Sequence, residues 1–233
     1  MNRHIQIIGF SRTGTTLMLR LLHQSLNGFK VDAGERTLGL SIQQSGNCVG
    51  KRPMDLMEYK LNKSIALSSG KKVNFILMQR DIRDVITSFH HHVPGHYFTG
   101  YDFTFHVNGP NSFSPTEPGI GVQIESYNRF KQDSDTVVIK YEDLVSNPEM
   151  TKSTLENLLS FDFNMDFNKL PENEVEFFRK NNANKKINAN SIGRWKMPEH
   201  TKRIIDQFSN YPELFDLLKS DGYEDSNSWF EKL

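Results

Sequence analysis

Two stretches of this sequence carry residues whose types and spacing suit the binding of anionic groups. Residues 9–16 read GFSRTGTT, with Gly9 and Gly14 at the spacing of a Walker A loop, in which backbone N–H groups surround a phosphate and a lysine follows the second glycine. Thr15 stands where that lysine belongs, and the basic residue is Arg12, two positions before Gly14. A Walker lysine reaches β- and γ-phosphates and a Walker hydroxyl holds magnesium, so the lost lysine disfavours ordinary ATP or GTP hydrolysis. The free N–H groups of such a turn and the positive end of a following helix still favour phosphate or sulfate. A turn serving only chain reversal would need neither the charge of Arg12 nor the hydroxyls of Ser11, Thr13, Thr15 and Thr16.

The second stretch is MQRDIRDVITSFH, residues 78–90. Arg80 lies at the end of an apolar run, and helical spacing puts Ser88 with Asp81 and Asp84 on the face opposite Ile82, Val85, Ile86 and Phe89. An arginine and a hydroxyl facing the crevice beyond the carboxyl ends of parallel strands would make a second phosphate site. An arginine paired with an aspartate for structural reasons explains the same residues equally well, and only the pairing with the first loop raises the functional reading.

Elements that would position these residues follow from the apolar pattern. HIQIIGF (4–10), KVNFILMQ (72–79) and TVVIK (136–140) read as buried strands, the second apolar enough to be covered on both faces. Leu17, Met18, Leu21, Leu22 and Leu26 share one face of a helix from Thr15 to about Leu26, which makes the first loop a strand–loop–helix junction. Met54, Met57, Leu61 and Ile65 predict a helix starting after Pro53, Asp81 caps another, and Asn147-Pro148-Glu149 opens a third that runs to about Ser160. Residues 94–119, rich in glycine, proline and aromatics, predict a long irregular loop. Strands alternating with helices predict an α/β fold with a mainly parallel sheet.

Composition bounds the setting. A chain of 233 residues, 36% hydrophobic, predicts one domain spanning 1–233. Lys+Arg and Asp+Glu both number 28, so no net basic charge favours nucleic acid and an anion site must be local. The single cysteine, Cys48, fits a reducing compartment, and no apolar stretch approaches a membrane span, which together predict a soluble cytoplasmic protein.

With these motifs in place, the sequence resembles the sulfotransferases that use 3′-phosphoadenosine-5′-phosphosulfate (PAPS). Arg12-Thr13-Gly14-Thr15-Thr16 is similar to the family's 5′-phosphosulfate loop, and Arg80 and Ser88 have the eight-residue spacing of its 3′-phosphate element. Tyr141-Glu142-Asp143-Leu144 looks like its Tyr-Glu-Asp segment after a strand, and Ser191-Ile192-Gly193-Arg194-Trp195-Lys196 like its late basic element that closes over the nucleotide. The four run in the family's order from residue 5 to about 196. The resemblance implies a P-loop NTPase-like three-layer fold with a central, mainly parallel sheet flanked by helices. It also implies PAPS as co-substrate and adenosine 3′,5′-bisphosphate (PAP) as product, bound by Ser11, Arg12, Thr13, Gly14, Thr15, Thr16, Arg80, Ser88, Tyr141, Ser191, Gly193, Arg194 and Trp195.

Gly34-Glu35 followed by Lys51-Arg52-Pro53 resembles the tyrosylprotein and carbohydrate sulfotransferases, which implies Glu35 as base, Lys51 beside the transferring group and Arg12 as a third catalytic residue. A histidine among His90, His91, His92 and His96 is the alternative base. Adjacent histidines diverge on a helix, so no metal site is expected from them. Tyr97, Phe98, Tyr101, Phe103 and Phe105 either line an acceptor pocket or pack beneath the loop, and Trp195 either stacks near a nucleotide or fills the core. The expected partner is a small-molecule, carbohydrate, lipid or peptide acceptor, without nucleic acid or a membrane span. A kinase built on the same loop and a catalytically silent nucleotide-binding module are the alternatives.

Overall fold

Arg3–Gly9 forms strand β1, in which Ile5, Ile7 and Ile8 are fully buried. A computed structural model describes the chain apart from residues 33, 91, 94, 95, 110, 111, 169–186 and 188. After β1 come α1 (Thr15–Ser25), β2 (Phe29–Val31), α2 (Leu38–Ser41), β3 (Asn47–Lys51), α3 (Tyr59–Ser68), β4 (Lys72–Gln79) and α4 (Ile82–Ile86). They are followed by β5 (Phe103–Gly109), β6 (Ser112–Pro118), α5 (Ile120–Lys131), β7 (Thr136–Lys140), α6 (Tyr141–Ser146), α7 (Pro148–Leu159), α8 (Thr201–Asn210) and α9 (Glu213–Ser220).

The chain forms two compact units, one of Met1–Gln79 with Ser126–Ala189, the other of Arg80–Glu125 with Asn190–Leu233. In the first unit the strands order as β2-β3-β1-β4-β7, every pairing parallel. Because side chains alternate across a sheet, Ile5, Ile7, Ile76 and Met78 share one face, where they meet Met18, Leu19 and Leu22 of α1 and Leu155 and Leu159 of α7. Phe75 points to the other face and packs its ring 5.0 Å from Phe130 of α5, which also meets Tyr59 of α3. Helices therefore cover both faces, as the nearly continuous apolar run of β4 requires.

The second unit holds α4, the β5–β6 antiparallel hairpin, α8 and α9. That hairpin replaces the irregular loop expected over 94–119: the alternation of Phe103, Phe105 and Val107 drives strand pairing despite the surrounding glycines and prolines. The stripe beginning at Met54 also differs from expectation. Pro53–Met57 is a 3₁₀ turn, α3 starts only at Tyr59, and the change of helical period between them leaves Leu61 54% exposed. Asp81 does cap α4, accepting from the Arg83 N–H, but the helix ends at Ile86, so Phe89 leaves the buried stripe and is 48% exposed. Asn147 caps α7 as expected, accepting from the Met150 N–H. No helix among the described residues is long and apolar enough to cross a membrane.

Candidate functional site

The first-unit loop is shaped by close backbone approaches. Gly9 has φ +149°, and a Cβ there would lie 2.6 Å from the Met78 carbonyl oxygen and 2.7 Å from Thr13 Oγ1. Thr13 is wholly buried, and its Oγ1 donates to the Phe10 carbonyl at 2.7 Å, folding the loop onto itself. Arg12 is exposed and takes φ +74°, a conformation uncommon outside glycine and one of two such non-glycine residues among those described. Gly14 begins α1 with φ +93° and no side-chain cap, and a Cβ at Gly14 would come within 2.5 Å of Tyr141 Cδ2. Tyr141, at the start of α6, thus braces the loop from outside it. The first N–H groups of α1, left without a side-chain cap, form the anion-favouring end anticipated from the sequence.

The loop's missing lysine has a counterpart on the adjacent strand. Lys51 ends β3, is nearly fully buried, and pairs in register with Ile7 of β1. Its Nζ donates to Thr16 Oγ1 at 3.1 Å and to Glu35 Oε1 in a close ion pair. The structure therefore brings Thr16, Glu35 and Lys51 together, although 35 positions separate the first and last in sequence. Beneath them runs a buried polar chain. His4 Nε2 meets Gln6 Oε1 at 2.9 Å, Gln6 Nε2 donates to Asp55 Oδ2 at 2.8 Å, and that oxygen also accepts from the Leu38 N–H at 2.9 Å. Arg52 Nη1 donates to Asp55 Oδ1 at 2.9 Å. The chain ties the start of α2, just after Glu35, to the residue after Lys51. Burial drives the His4 pKa down to about 4 and pushes the Asp55 carboxyl up, with Arg52 opposing the latter shift.

The second unit assembles the other predicted residues. Arg80 Nη2 donates to the Ser191 carbonyl at 2.8 Å. Asp84, buried, accepts from the Gly193 N–H at 2.7 Å with Oδ2 and from the Trp195 N–H at 3.0 Å with Oδ1. Burial raises the Asp84 pKa, while Arg80 and the two N–H groups hold it down. Gly193 turns the segment with φ +70°, leaving Arg194 exposed and Trp195 buried. The Trp195 ring lies under the Arg83 guanidinium at 4.0 Å rather than open to solvent. Ser88 lies two residues past α4, half-buried. The expected polar face of α4 does not exist as such, because every residue from 81 to 87 is buried, with Asp81 bonded to Arg83 and Asp84 turned to the Gly193 and Trp195 N–H groups.

The aromatics of 97–105 pack against other rings. Phe103 and Phe105 meet edge to face at 5.3 Å, Tyr101 stacks on Tyr211 at 4.4 Å, and His96 lies 5.6 Å from Phe105. His90 stacks on Phe98 at 5.0 Å, and His91 lies outside the described residues. No group of three or more His, Cys, Asp or Glu among the described residues is arranged to hold a metal ion.

Sequence reasoning missed the role of Asp84 as the anchor of residues 193–195, and the Gln6–Asp55 link. A charged Arg-Asp-x-Arg-Asp run inside an apolar stretch, here Arg80-Asp81-Ile82-Arg83-Asp84, is a signal for buried pairing that could have found the first.

A family model described as "Sulfotransferase domain" matches residues 2–211. Among solved structures, mouse sulfotransferase SULT7A1 complexed with PAP superposes with a TM-score of 0.58 at 12% identity, over 93% of this chain and 88% of that one. The sulfotransferase domain from the curacin biosynthetic pathway gives 0.52 at 16% identity, over 90% and 98%. That of the Synechococcus PCC 7002 olefin synthase gives 0.51 at 13% identity, over 89% and 94%. At such identities the likeness establishes a shared fold, a P-loop NTPase-like α/β architecture. No curated protein matches the chain by sequence.

Proposed function

Because the chain belongs to the sulfotransferase domain family, we propose that it moves a sulfuryl group from PAPS to a hydroxyl or amine of a small-molecule, carbohydrate, lipid or peptide acceptor. The observation that carries this reading is Lys51 held between Thr16 and Glu35 at the start of α1: the charge missing from the loop arrives from β3, together with a carboxylate.

The residues present suit such a donor. The uncapped N–H groups of α1, together with the loop that Gly9 and Gly14 let pack tightly against Met78, Thr13 and Tyr141, suit an anion. Bound there, PAPS supplies the sulfuryl group and leaves as PAP. Ser11 through Thr16 would hold the 5′ side of the nucleotide, with Tyr141 keeping the loop in shape. Arg12 and Lys51 stabilise the negative charge that grows as the bond breaks, and such preorganised charge is usually the largest catalytic contribution. Glu35 takes the acceptor's proton, and its contact with Lys51 fixes the carboxylate beside the loop. Arg80, Ser88, Ser191, Gly193 and Arg194 are assigned to the 3′-phosphate, with Trp195 as a buried support. We assign residues 1–233 to a single sulfotransferase domain and propose the cytoplasm as its compartment on the strength of the lone cysteine.

Titration calorimetry with PAP and with ATP tests the nucleotide class. We expect tight PAP binding and weak ATP binding. Preference for ATP with magnesium-dependent turnover would overturn the reading in favour of a kinase, and tight PAPS binding without transfer to any acceptor would leave only a binding module.

A further inference from the structure

Residues 191–196 are held within their own unit by Arg80 and Asp84, but Arg83 between those two makes a third connection whose outer half comes from a distant part of the chain. Arg83 is buried, and its guanidinium is gripped on one edge by Asp81, with Nε–Oδ1 at 3.0 Å and Nη2–Oδ2 at 2.7 Å. Its remaining Nη1 donates to Glu224 Oε1 at 2.5 Å. Two neighbouring indoles lie against the cation, with Cζ 4.0 Å from the Trp195 ring centroid and 4.6 Å from that of Trp229. Trp195 and Trp229 also meet edge to face at 5.3 Å. Trp229 is in turn seated against Phe208 of α8 at 5.1 Å and Phe215 of α9 at 6.0 Å. Burial alone would lower the Arg83 pKa, yet Asp81 and Glu224 outweigh it and keep the guanidinium charged.

A buried cation must be compensated, and of the two carboxylates beside Arg83 in sequence Asp81 bonds it while Asp84 accepts from the Gly193 and Trp195 N–H groups. The second carboxylate and the second ring come from residues 224 and 229, beyond the residues that the family model matches. We propose that Glu224 and Trp229 are positioning residues of the sulfotransferase reaction: by completing the enclosure of Arg83 they fix Trp195, and through it hold Gly193 and Arg194 in the geometry that grips the 3′-phosphate of the donor. The proposal rests on the assignment of residues 191–196 to the nucleotide. Glu224 and Trp229 themselves touch no reacting atom; they act through Arg83 and Trp195.

The test uses the full chain carrying Glu224→Gln or Trp229→Leu. Amide hydrogen exchange at Gly193 and Trp195, whose N–H groups are bonded to Asp84, is expected to quicken roughly tenfold in each variant as the segment loosens. PAP binding should weaken by about tenfold while adenosine 5′-phosphosulfate, which lacks the 3′-phosphate, binds as before. With donor saturating, kcat should be unchanged and only KM for PAPS should rise, a split that general destabilisation does not produce. Trp229→Phe, which keeps an aromatic face for the cation, should restore most of the affinity. Glu224 sits on a partly exposed rim, so its glutamine variant remains informative should Trp229→Leu fail to fold. A wild-type preference for PAP that survives in Glu224→Gln, with exchange unaltered, overturns the proposal alone. A wild-type protein that binds both nucleotides alike overturns the assignment of the segment to the nucleotide and the proposal with it.

Discussion

The loop of the first unit and the segment of the second are both anion-binding candidates, yet they are built on opposite principles. Residues 9–16 are contiguous, and their shape comes from the backbone: Gly9 and Gly14 at positive φ, Thr13 folded onto Phe10, and the uncapped end of α1. Residues 191–196 have little local structure of their own beyond short 3₁₀ turns, and side chains more than 100 positions away hold them. A backbone-built site is tolerant of side-chain exchange at most positions but intolerant wherever a Cβ is forbidden. A side-chain-built site fails when one carboxylate or guanidinium is lost.

The largest expected effect separates chemistry from binding in the first region. Glu35→Gln keeps shape and removes the basic oxygen, so it should lower kcat by on the order of 10²–10⁴ with PAP affinity nearly intact. Normal turnover in that variant, with loss on changing His90 or His96, would move the base to the second unit. Next comes Arg80→Ala, which should weaken PAP by roughly 2–4 kcal/mol while barely touching a nucleotide without the 3′-phosphate. Equal weakening of both ligands would erase the distinction between the two regions. Gly14→Ala must put a Cβ at φ +93° and against Tyr141, a strain of about 1–3 kcal/mol. Thermal melts and calorimetry should show lower stability and weaker donor binding together, and a fully stable variant with normal affinity would contradict the backbone account of the loop. Asp84→Asn leaves one oxygen acceptor where two are used, and should cost roughly 1–2 kcal/mol of PAP affinity while leaving the first region's chemistry alone.

The smallest effect is a pH dependence beneath the loop. His4 has its folded pKa lowered from 6.5 to about 4, so the folded state resists protonation that the unfolded chain accepts. Its stabilising contribution is present above pH 6.5 and is lost as the pH falls from there towards 4, amounting to roughly 1.4 kcal/mol at about pH 5.5. Unfolding by denaturant at the two pH values checks it, and replacing His4 with Gln should flatten the slope over that window. An unchanged slope would mean that the burial of His4 does not exclude the proton.

What the sequence determined by itself was whatever depends on neighbours along the chain. Apolar runs with β-branched residues dictated β1, β4 and β7, because burial on both sheet faces demands an uninterrupted run, and Asp81 and Asn147 announced their helix starts because a cap bonds N–H groups two or three residues on. The loop glycines were legible for the same reason. Other elements were not: β2 holds only three residues, β3 (NCVGK) lacks the apolar run that marks β7 at the same length, and the proline-rich surroundings of β5 and β6 hid an alternation that only strand pairing makes visible. Tertiary structure alone decided that Lys51 stands beside Thr16, since the parallel register of β1 with β3 sets the strand end next to the loop. It likewise decided that Asp84 points inward to the N–H groups of Gly193 and Trp195. A buried carboxylate must find donors wherever the fold supplies them, and no spacing in the sequence says where that is.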